Sequence, residues 1–127
     1  MNNILLIDDQ GWEKDLIGSV CQTVFGANFR LDHASRSSEA VKLLLEKDYT
    51  LLLLDNNLGL DINASFSVPF LKEFTGKAEI VVISNNIFED YLEDPAFLGV
   101  DHVIAKKDLV EFLVEVSRRE EPRAAAS

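Results

Sequence analysis

Short apolar runs alternate with stretches of helical periodicity along nearly the whole of this 127-residue chain. Three runs are uniformly branched and apolar: ILLI at 4–7, LLLL at 51–54 and IVVI at 80–83. Two patchier runs, FRLDHA at 29–34 and HVIA at 102–105, complete five strand candidates. A helical pattern follows each of them, so a strand and then a helix are repeated five times. Such alternation requires crossover connections, and it predicts a parallel sheet with helices on both faces.

The helical stretches are expected at 12–25, from Ser37 onward, at 68–74, at 87–98 with a bend near Pro95, and from Asp108 to about Arg118. The uniformly apolar strands belong at the centre of the sheet, because a central parallel strand is buried on both faces. The patchier strands belong at its edges, which predicts the strand order 2-1-3-4-5 of flavodoxin-like folds. The predicted fold class is α/β: one doubly wound, five-stranded parallel sheet at 1–118, followed by a linker or disordered tail at 119–127.

The charge balance limits what this domain binds by itself. The chain has 22 acidic and 12 basic residues and a net charge of −10, whereas binding to nucleic acid or to anionic membranes requires clustered Lys and Arg. No apolar run approaches the roughly 20 residues that span a bilayer, and no signal-peptide pattern follows Met1. A cytoplasmic location is therefore expected. The single cysteine, Cys21, cannot form an internal disulfide and is expected to be a buried structural thiol.

Polar side chains directly follow four of the five strand candidates. They are Asp8 and Asp9 after the first strand, Asp55 after the third, Ser84 after the fourth and Lys106 after the fifth. The second strand, expected at the far edge, is followed only by Ser35. In an open parallel sheet, ligands bind beyond the carboxyl ends of the strands, near the point where the strand order reverses. The side chains after the other four strands are therefore expected to lie close together.

Three carboxylates at one edge of a sheet repel one another. At an effective dielectric constant of about 20, two like charges about 4 Å apart cost on the order of 4 kcal/mol. Lys106 supplies one positive charge, which is too little for three acids. Oxygen donors without a nearby His or Cys fit a hard ion such as Mg²⁺. We therefore expect Asp8, Asp9 and Asp55 to bind Mg²⁺, with the backbone carbonyl of Asn57 completing the shell.

A cation, a lysine and a hydroxyl around one carboxylate stabilise a phosphoryl group during its transfer. Asp55 is the expected nucleophile, whose carboxylate attacks phosphorus and becomes an aspartyl phosphate. Ser84 would donate to one phosphoryl oxygen, and Lys106 would pair with another. Each residue also has a plainer interpretation, since acids after strands cap helices, serines occupy turns and lysines face solvent. The combination of groups carries the prediction.

With these residues in view, the chain resembles a response-regulator receiver domain of two-component signal transduction, in the CheY-like superfamily. The resemblance covers residues 2–118 and depends on the segments ILLIDD, DYTLLLLDNN, IVVISN and GVDHVIAKKD. It implies a phosphoprotein of a phosphorelay, phosphorylated on Asp55 with Mg²⁺ held by Asp8 and Asp9. By the same resemblance, Ser84 is the switch hydroxyl and Lys106 is the lysine of the family pattern.

The resemblance also implies partners. A sensor histidine kinase, a phosphotransfer protein or acetyl phosphate would supply the phosphoryl group, and a change of conformation would signal to a downstream target or output domain. Such a domain is not an enzyme beyond phosphorylating and dephosphorylating itself. A homodimer through the last helix and its neighbouring strand is a further expectation from the family.

Some positions depart from the family pattern. Val103 stands where an aromatic residue usually swings inward as the hydroxyl moves, and valine is too small for that motion. Asn85 stands where Ala or Gly usually leaves a passage to the phosphate, so Asn85 and Asn57 are expected to modulate access. Lys107 replaces a proline, and the segment that follows Asp55 is longer than is usual.

Two other functions stay open. A degenerate receiver would keep the fold as a phosphorylation-independent interaction module; Val103 favours it, and the complete set of polar groups opposes it. A phosphatase of the haloacid-dehalogenase type also uses an Asp nucleophile, a hydroxyl, a lysine and magnesium. That family has Asp-x-Asp after its first strand, whereas this chain has adjacent Asp8 and Asp9 followed by Gln10.

Overall fold

A computed structural model describes residues 2–9, 11–56, 64–84 and 95–119, and for 11–13, 64–67 and 97 it describes the backbone alone. Within these ranges the strands are β1 (Asn2–Ile7), β2 (Phe29–Ala34), β3 (Leu51–Asp55), β4 (Glu79–Ser84) and β5 (His102–Ala105). The helices are α1 (Gly11–Phe25), α2 (Ser37–Glu46), α3 (Ala64–Lys72), α4 (Pro95–Leu98) and α5 (Leu109–Arg119). A 3₁₀ turn at Lys106–Asp108 connects β5 to α5.

The five strands form one parallel sheet in the order β2-β1-β3-β4-β5, which confirms the predicted architecture and strand order. The register brings the carboxyl ends of the central strands to the same level. Ile7 pairs with Leu54, and Asp55 pairs with Ile83. Residues that follow these pairs therefore emerge together at one edge of the sheet.

The leucine run is apolar at every position because β3 is buried on both of its faces. Leu52 and Leu54 pack on the face that is covered by α2, α3 and α4. Leu51 and Leu53 pack on the opposite face, which is covered by α1 and α5. Burying one leucine side chain contributes about 1.5–3 kcal/mol relative to leaving it exposed, so a polar residue within this run would be strongly destabilising.

The helix boundaries agree with the sequence pattern in part. α1 is followed by Gly26 and α4 by Gly99, both at positive φ (64° and 90°), where glycine avoids the strain that other residues meet. α3 begins at Ala64, earlier than the predicted start at 68, and it contains Pro69. The apolar spacing from 68 placed this proline in the first helical turn, where proline is best tolerated. Of the stretch predicted at 87–98, the described part is helical at Pro95–Leu98.

Two further expectations concern burial and membranes. Cys21 is fully buried, as expected for a structural thiol, and burial raises its pKa to about 11. Among the described residues, none of the helices combines the length and the apolar character needed to cross a membrane.

A polar cluster joins β2 to the segment before β3. The Tyr49 hydroxyl donates to Asp32 Oδ2 at 2.7 Å, and Lys47 Nζ lies 3.2 Å from the same oxygen. Partial burial acts to raise the pKa of Asp32, but the hydrogen bonds from Tyr49 and Lys47 outweigh it and hold this pKa below its usual range. The cluster therefore stabilises the fold most when Asp32 is ionised.

Candidate metal and phosphoryl site

The acids that follow β1 and end β3 come together at the carboxyl edge of the sheet. Asp8 is fully buried, and Asp55 is 5% exposed, while Asp9 lies at the surface. One carboxylate oxygen from each of the three residues lies within 4.8 Å of the other two. The buried strand β3 thus ends in Asp55, whose carboxylate joins those of Asp8 and Asp9 at the carboxyl edge of the sheet.

The size and chemistry of this acidic cluster (Asp8, Asp9 and Asp55) fit one divalent cation. Two oxygens bound to the same ion lie at most about 4.2 Å apart for Mg²⁺ and about 5 Å apart for Ca²⁺, given their usual ligand distances. The three carboxylate oxygens of the cluster lie within 4.8 Å of one another, so at most small side-chain adjustments would bring them onto one ion. Carboxylates are also the ligands that both of these hard ions prefer. The described residues therefore suit a hard divalent ion such as Mg²⁺ or Ca²⁺.

Lys106 belongs to the same site. It begins the 3₁₀ turn after β5, and its Nζ lies 3.6 Å from Oδ2 of Asp55. Its side chain is 22% exposed, against 7% for that of Asp55, so the pair is only partly screened by water. With its three carboxylates counted as ionised, and with the Lys106 ammonium, the site would carry a net charge of −2, which one divalent cation would balance.

Ser84 lies at the same edge of the sheet. It is the last residue of β4, it is buried, and it pairs with Ala105 directly before Lys106. Since Asp55 pairs with Ile83, Ser84 stands one residue further along the neighbouring strand. The Asn56 amide donates to the carbonyl of Ile83 at 2.9 Å, which continues this pairing past the end of β3.

Three other residues singled out in the sequence are not part of the described site. Asn57 and Asn85, expected to modulate access, lie outside the described residues. Val103 lies in the middle of the edge strand β5, paired with Val82, and it packs partly buried against the core on the α2, α3 and α4 side. The roles predicted for the individual site residues stay predictions, although the described ones do share one edge of the sheet.

From the sequence, no residue of β2 was named at the site, although one of them contacts its backbone. His33 Nε2 lies 2.7 Å from the backbone carbonyl oxygen of Asp8. The available signal was weak: a histidine next to the end of an edge strand that neighbours β1. No local pattern shows which way such a ring points.

Solved structures share this arrangement of strands and helices. A CheY-like response regulator receiver domain from Methylobacillus flagellatus superposes with a TM-score of 0.76 at 17% identity, covering 95% of this chain and 99% of that one. A response regulator protein from Burkholderia pseudomallei, with a phosphorylated aspartic acid, a calcium ion and citrate, superposes with a TM-score of 0.70 at 21% identity, covering 99% and 70%. This chain has the receiver-domain fold.

Another receiver structure is similar to the same degree. The receiver domain of a sensor histidine kinase from Pseudomonas aeruginosa, with a magnesium ion coordinated in its active site cleft, superposes with a TM-score of 0.74 at 18% identity, covering 93% of this chain and 95% of that one. By sequence, no family model and no curated protein matches the chain. The likeness is thus one of fold. In the receiver fold of this chain, the acidic cluster lies beyond the carboxyl ends of β1 and β3.

Proposed function

We propose that this chain is a phosphoacceptor receiver domain, which takes a phosphoryl group onto Asp55 with Mg²⁺ and changes conformation to signal. The observation that carries the proposal is the acidic cluster, whose oxygens lie within 4.8 Å of one another, with an ammonium 3.6 Å from Asp55. Neither a helix cap nor a solvated lysine accounts for these groups lying together at the carboxyl edge of the sheet.

Asp55 is the proposed nucleophile. One of its carboxylate oxygens forms a bond to phosphorus while the bond from phosphorus to the donor breaks, and the donor leaves with that electron pair. Lys106 is close enough to Asp55 to pair with a phosphoryl oxygen that arrives there. The buried hydroxyl of Ser84 would donate a hydrogen bond to another.

Asp8 and Asp9 would hold the cation together with Asp55, and the backbone carbonyl of Asn57 would complete the shell. When bound, Mg²⁺ supplies positive charge that stabilises the phosphoryl oxygens during transfer. Asn85 and Asn57 would modulate access to Asp55, as expected from the sequence.

We infer a sensor histidine kinase or a phosphotransfer protein as the source of the phosphoryl group. One supporting observation is that a structure of the same fold is the receiver domain of a sensor histidine kinase. A cytoplasmic location, a place in a phosphorelay, a downstream target or output domain and a homodimer belong to the same proposal. The net charge of −10 argues against direct binding to nucleic acid or membrane by this domain.

Acetyl phosphate labelling tests the proposal. The protein is incubated with acetyl phosphate with and without Mg²⁺, and intact-mass spectrometry follows the gain of one phosphoryl group. Labelling should require Mg²⁺ and be lost in Asp55→Asn. Asp48→Asn serves as the matched control, because Asp48 is exposed and lies before β3, away from the carboxyl edge. Labelling that persists in Asp55→Asn would refute the assignment.

Val103 favours a second candidate, the degenerate receiver that acts as an interaction module without phosphate. Valine cannot make the inward swing of an aromatic ring, so phosphate on Asp55 would leave the outer face of β5 unchanged. Backbone NMR shifts of β5 before and after labelling would separate the candidates. A phosphatase of the haloacid-dehalogenase type would instead turn over a small phosphomonoester.

A further inference from the structure

The last residues of β2 hold the backbone on both sides of Asp8. The Asp8 amide donates to the carbonyl of Ala34 at 3.0 Å. The Asp8 carbonyl oxygen lies 2.7 Å from Nε2 of His33. A carbonyl oxygen only accepts hydrogen bonds, so Nε2 of His33 carries a proton and donates it. Both peptide groups of Asp8 are therefore tied to the edge strand.

The bond from His33 acts on two acids of the cluster together. The carbonyl of Asp8 belongs to the peptide group that joins Asp8 to Asp9, and a peptide group is planar. A hydrogen bond that fixes the direction of this carbonyl therefore also fixes where the backbone of Asp9 begins. What remains free is the rotation of each side chain among its few staggered positions.

We propose that His33 is a positioning residue for the cation site. It holds the peptide between Asp8 and Asp9 so that both carboxylates face one ion beside Asp55. This inference relies on the proposed function, because the cation it concerns is the one proposed there. Nε2 of His33 is not a ligand, since it donates to the backbone, and the cluster of possible metal ligands among the described residues does not include His33.

Positioning is needed because the carboxylates of the acidic cluster repel one another before a cation binds. Without a fixed peptide, the exposed Asp9 could turn toward water, and the cation would have to gather its ligands as it binds. Ligands held in place before binding lose less freedom when the ion arrives, which raises affinity. Residues that orient metal ligands through hydrogen bonds typically change metal affinity 10–100-fold when they are removed.

The backbone ladder between β1 and β2 does not need the side chain of His33. Its backbone takes part in the β1–β2 ladder, where Leu6 pairs with His33 and Ile7 with Ala34. That ladder uses backbone groups, which any substitution except proline retains. Variants at this position are therefore expected to fold, and their metal binding can be measured.

Two variants separate the hydrogen bond from the shape of the ring. His33→Phe keeps a ring but lacks the donor, whereas His33→Gln loses the ring and keeps an amide N–H at a similar reach. His102→Gln is the matched control on the other edge strand. His102 is the first residue of β5, the edge strand opposite β2, and its Nε2 contacts Oε1 of Glu79 at 2.7 Å.

The affinity of the metal-free full chain for Mg²⁺ is measured by isothermal titration calorimetry, with all variants at one pH. His33→Phe should bind Mg²⁺ about tenfold more weakly. His33→Gln should stay within about threefold of the unsubstituted chain, and His102→Gln should not differ from it. At saturating Mg²⁺, the acetyl phosphate labelling rate of His33→Phe should recover, because the defect lies in binding the cation.

Unchanged Mg²⁺ affinity in His33→Phe would overturn the inference while leaving the proposed function intact. Equal weakening in His33→Phe and His33→Gln would also overturn it, since ring packing would then be the cause. If the unsubstituted chain neither binds Mg²⁺ nor labels on Asp55, the proposed function fails and the inference fails with it.

Discussion

Replacing Lys106 by methionine separates two effects that a single positive charge has on this site. Methionine has a similar length but no charge. At 3.6 Å, the attraction between Lys106 Nζ and Asp55 Oδ2 is about 1 kcal/mol at the dielectric constant of water and about 5 kcal/mol at an effective value of about 20. Because the side chains are 22% exposed for Lys106 and 7% exposed for Asp55, the pair is only partly screened by water, and the attraction lies between these two values, about 1–5 kcal/mol.

Loss of the ammonium should strengthen cation binding and slow phosphorylation. The described site changes from a net charge of −2 to −3, so its affinity for Mg²⁺ should rise by about tenfold, which corresponds to about 1.4 kcal/mol, near the lower end of this range. At the same time, the phosphoryl group in transfer would no longer be stabilised by the positive charge of the Lys106 ammonium. Removing one such stabilising group typically slows a reaction by about 10²–10³-fold.

The assay compares Lys106→Met with Lys107→Met by Mg²⁺ titration and by the initial rate of acetyl phosphate labelling. Lys107 lies in the same 3₁₀ turn and is exposed, so its replacement controls for the loss of one charge near the site. Tighter Mg²⁺ binding together with slower labelling is expected for Lys106→Met alone. Equal effects in the two variants, or labelling of Lys106→Met at the unsubstituted rate, would refute the assigned role.

Three further predictions concern stability and access. Tyr49→Phe removes the hydrogen bond to Asp32 and should cost about 1–2 kcal/mol of unfolding free energy near neutral pH. The folded-state pKa of Asp32 is lowered, so this loss of stability should be fully present above the unfolded-state pKa of about 3.9. It should shrink as the pH falls through the lower folded-state pKa. Urea unfolding at a series of pH values measures both. Leu53→Ala should cost about 2–5 kcal/mol, whereas Leu45→Ala, at a side chain that is 71% exposed, should stay within about 0.5 kcal/mol in the same measurement. Asn85→Ala should change the lifetime of the acyl phosphate, and an unchanged lifetime would contradict a role in access.

The central strands were predictable because a strand that is buried on both faces needs an apolar side chain at every position. The order of the sheet followed from which runs are uniformly apolar, as ILLI, LLLL and IVVI are, and which are mixed. The start of α3 was not predictable in this way. Its first turns lie before the apolar spacing begins, and a proline inside the helix resembles a proline at its start.

The sequence by itself determined the α/β architecture and the position of each polar group relative to the end of its strand. Both properties are local, since they depend on which residues follow an apolar run. Only the tertiary structure decided the distances within the acidic cluster and the contact between His33 and Asp8, which are 25 positions apart. That contact depends on the register of two paired strands. A shift of β2 by one residue would turn the His33 ring to the other face of the sheet, with no change in any local pattern.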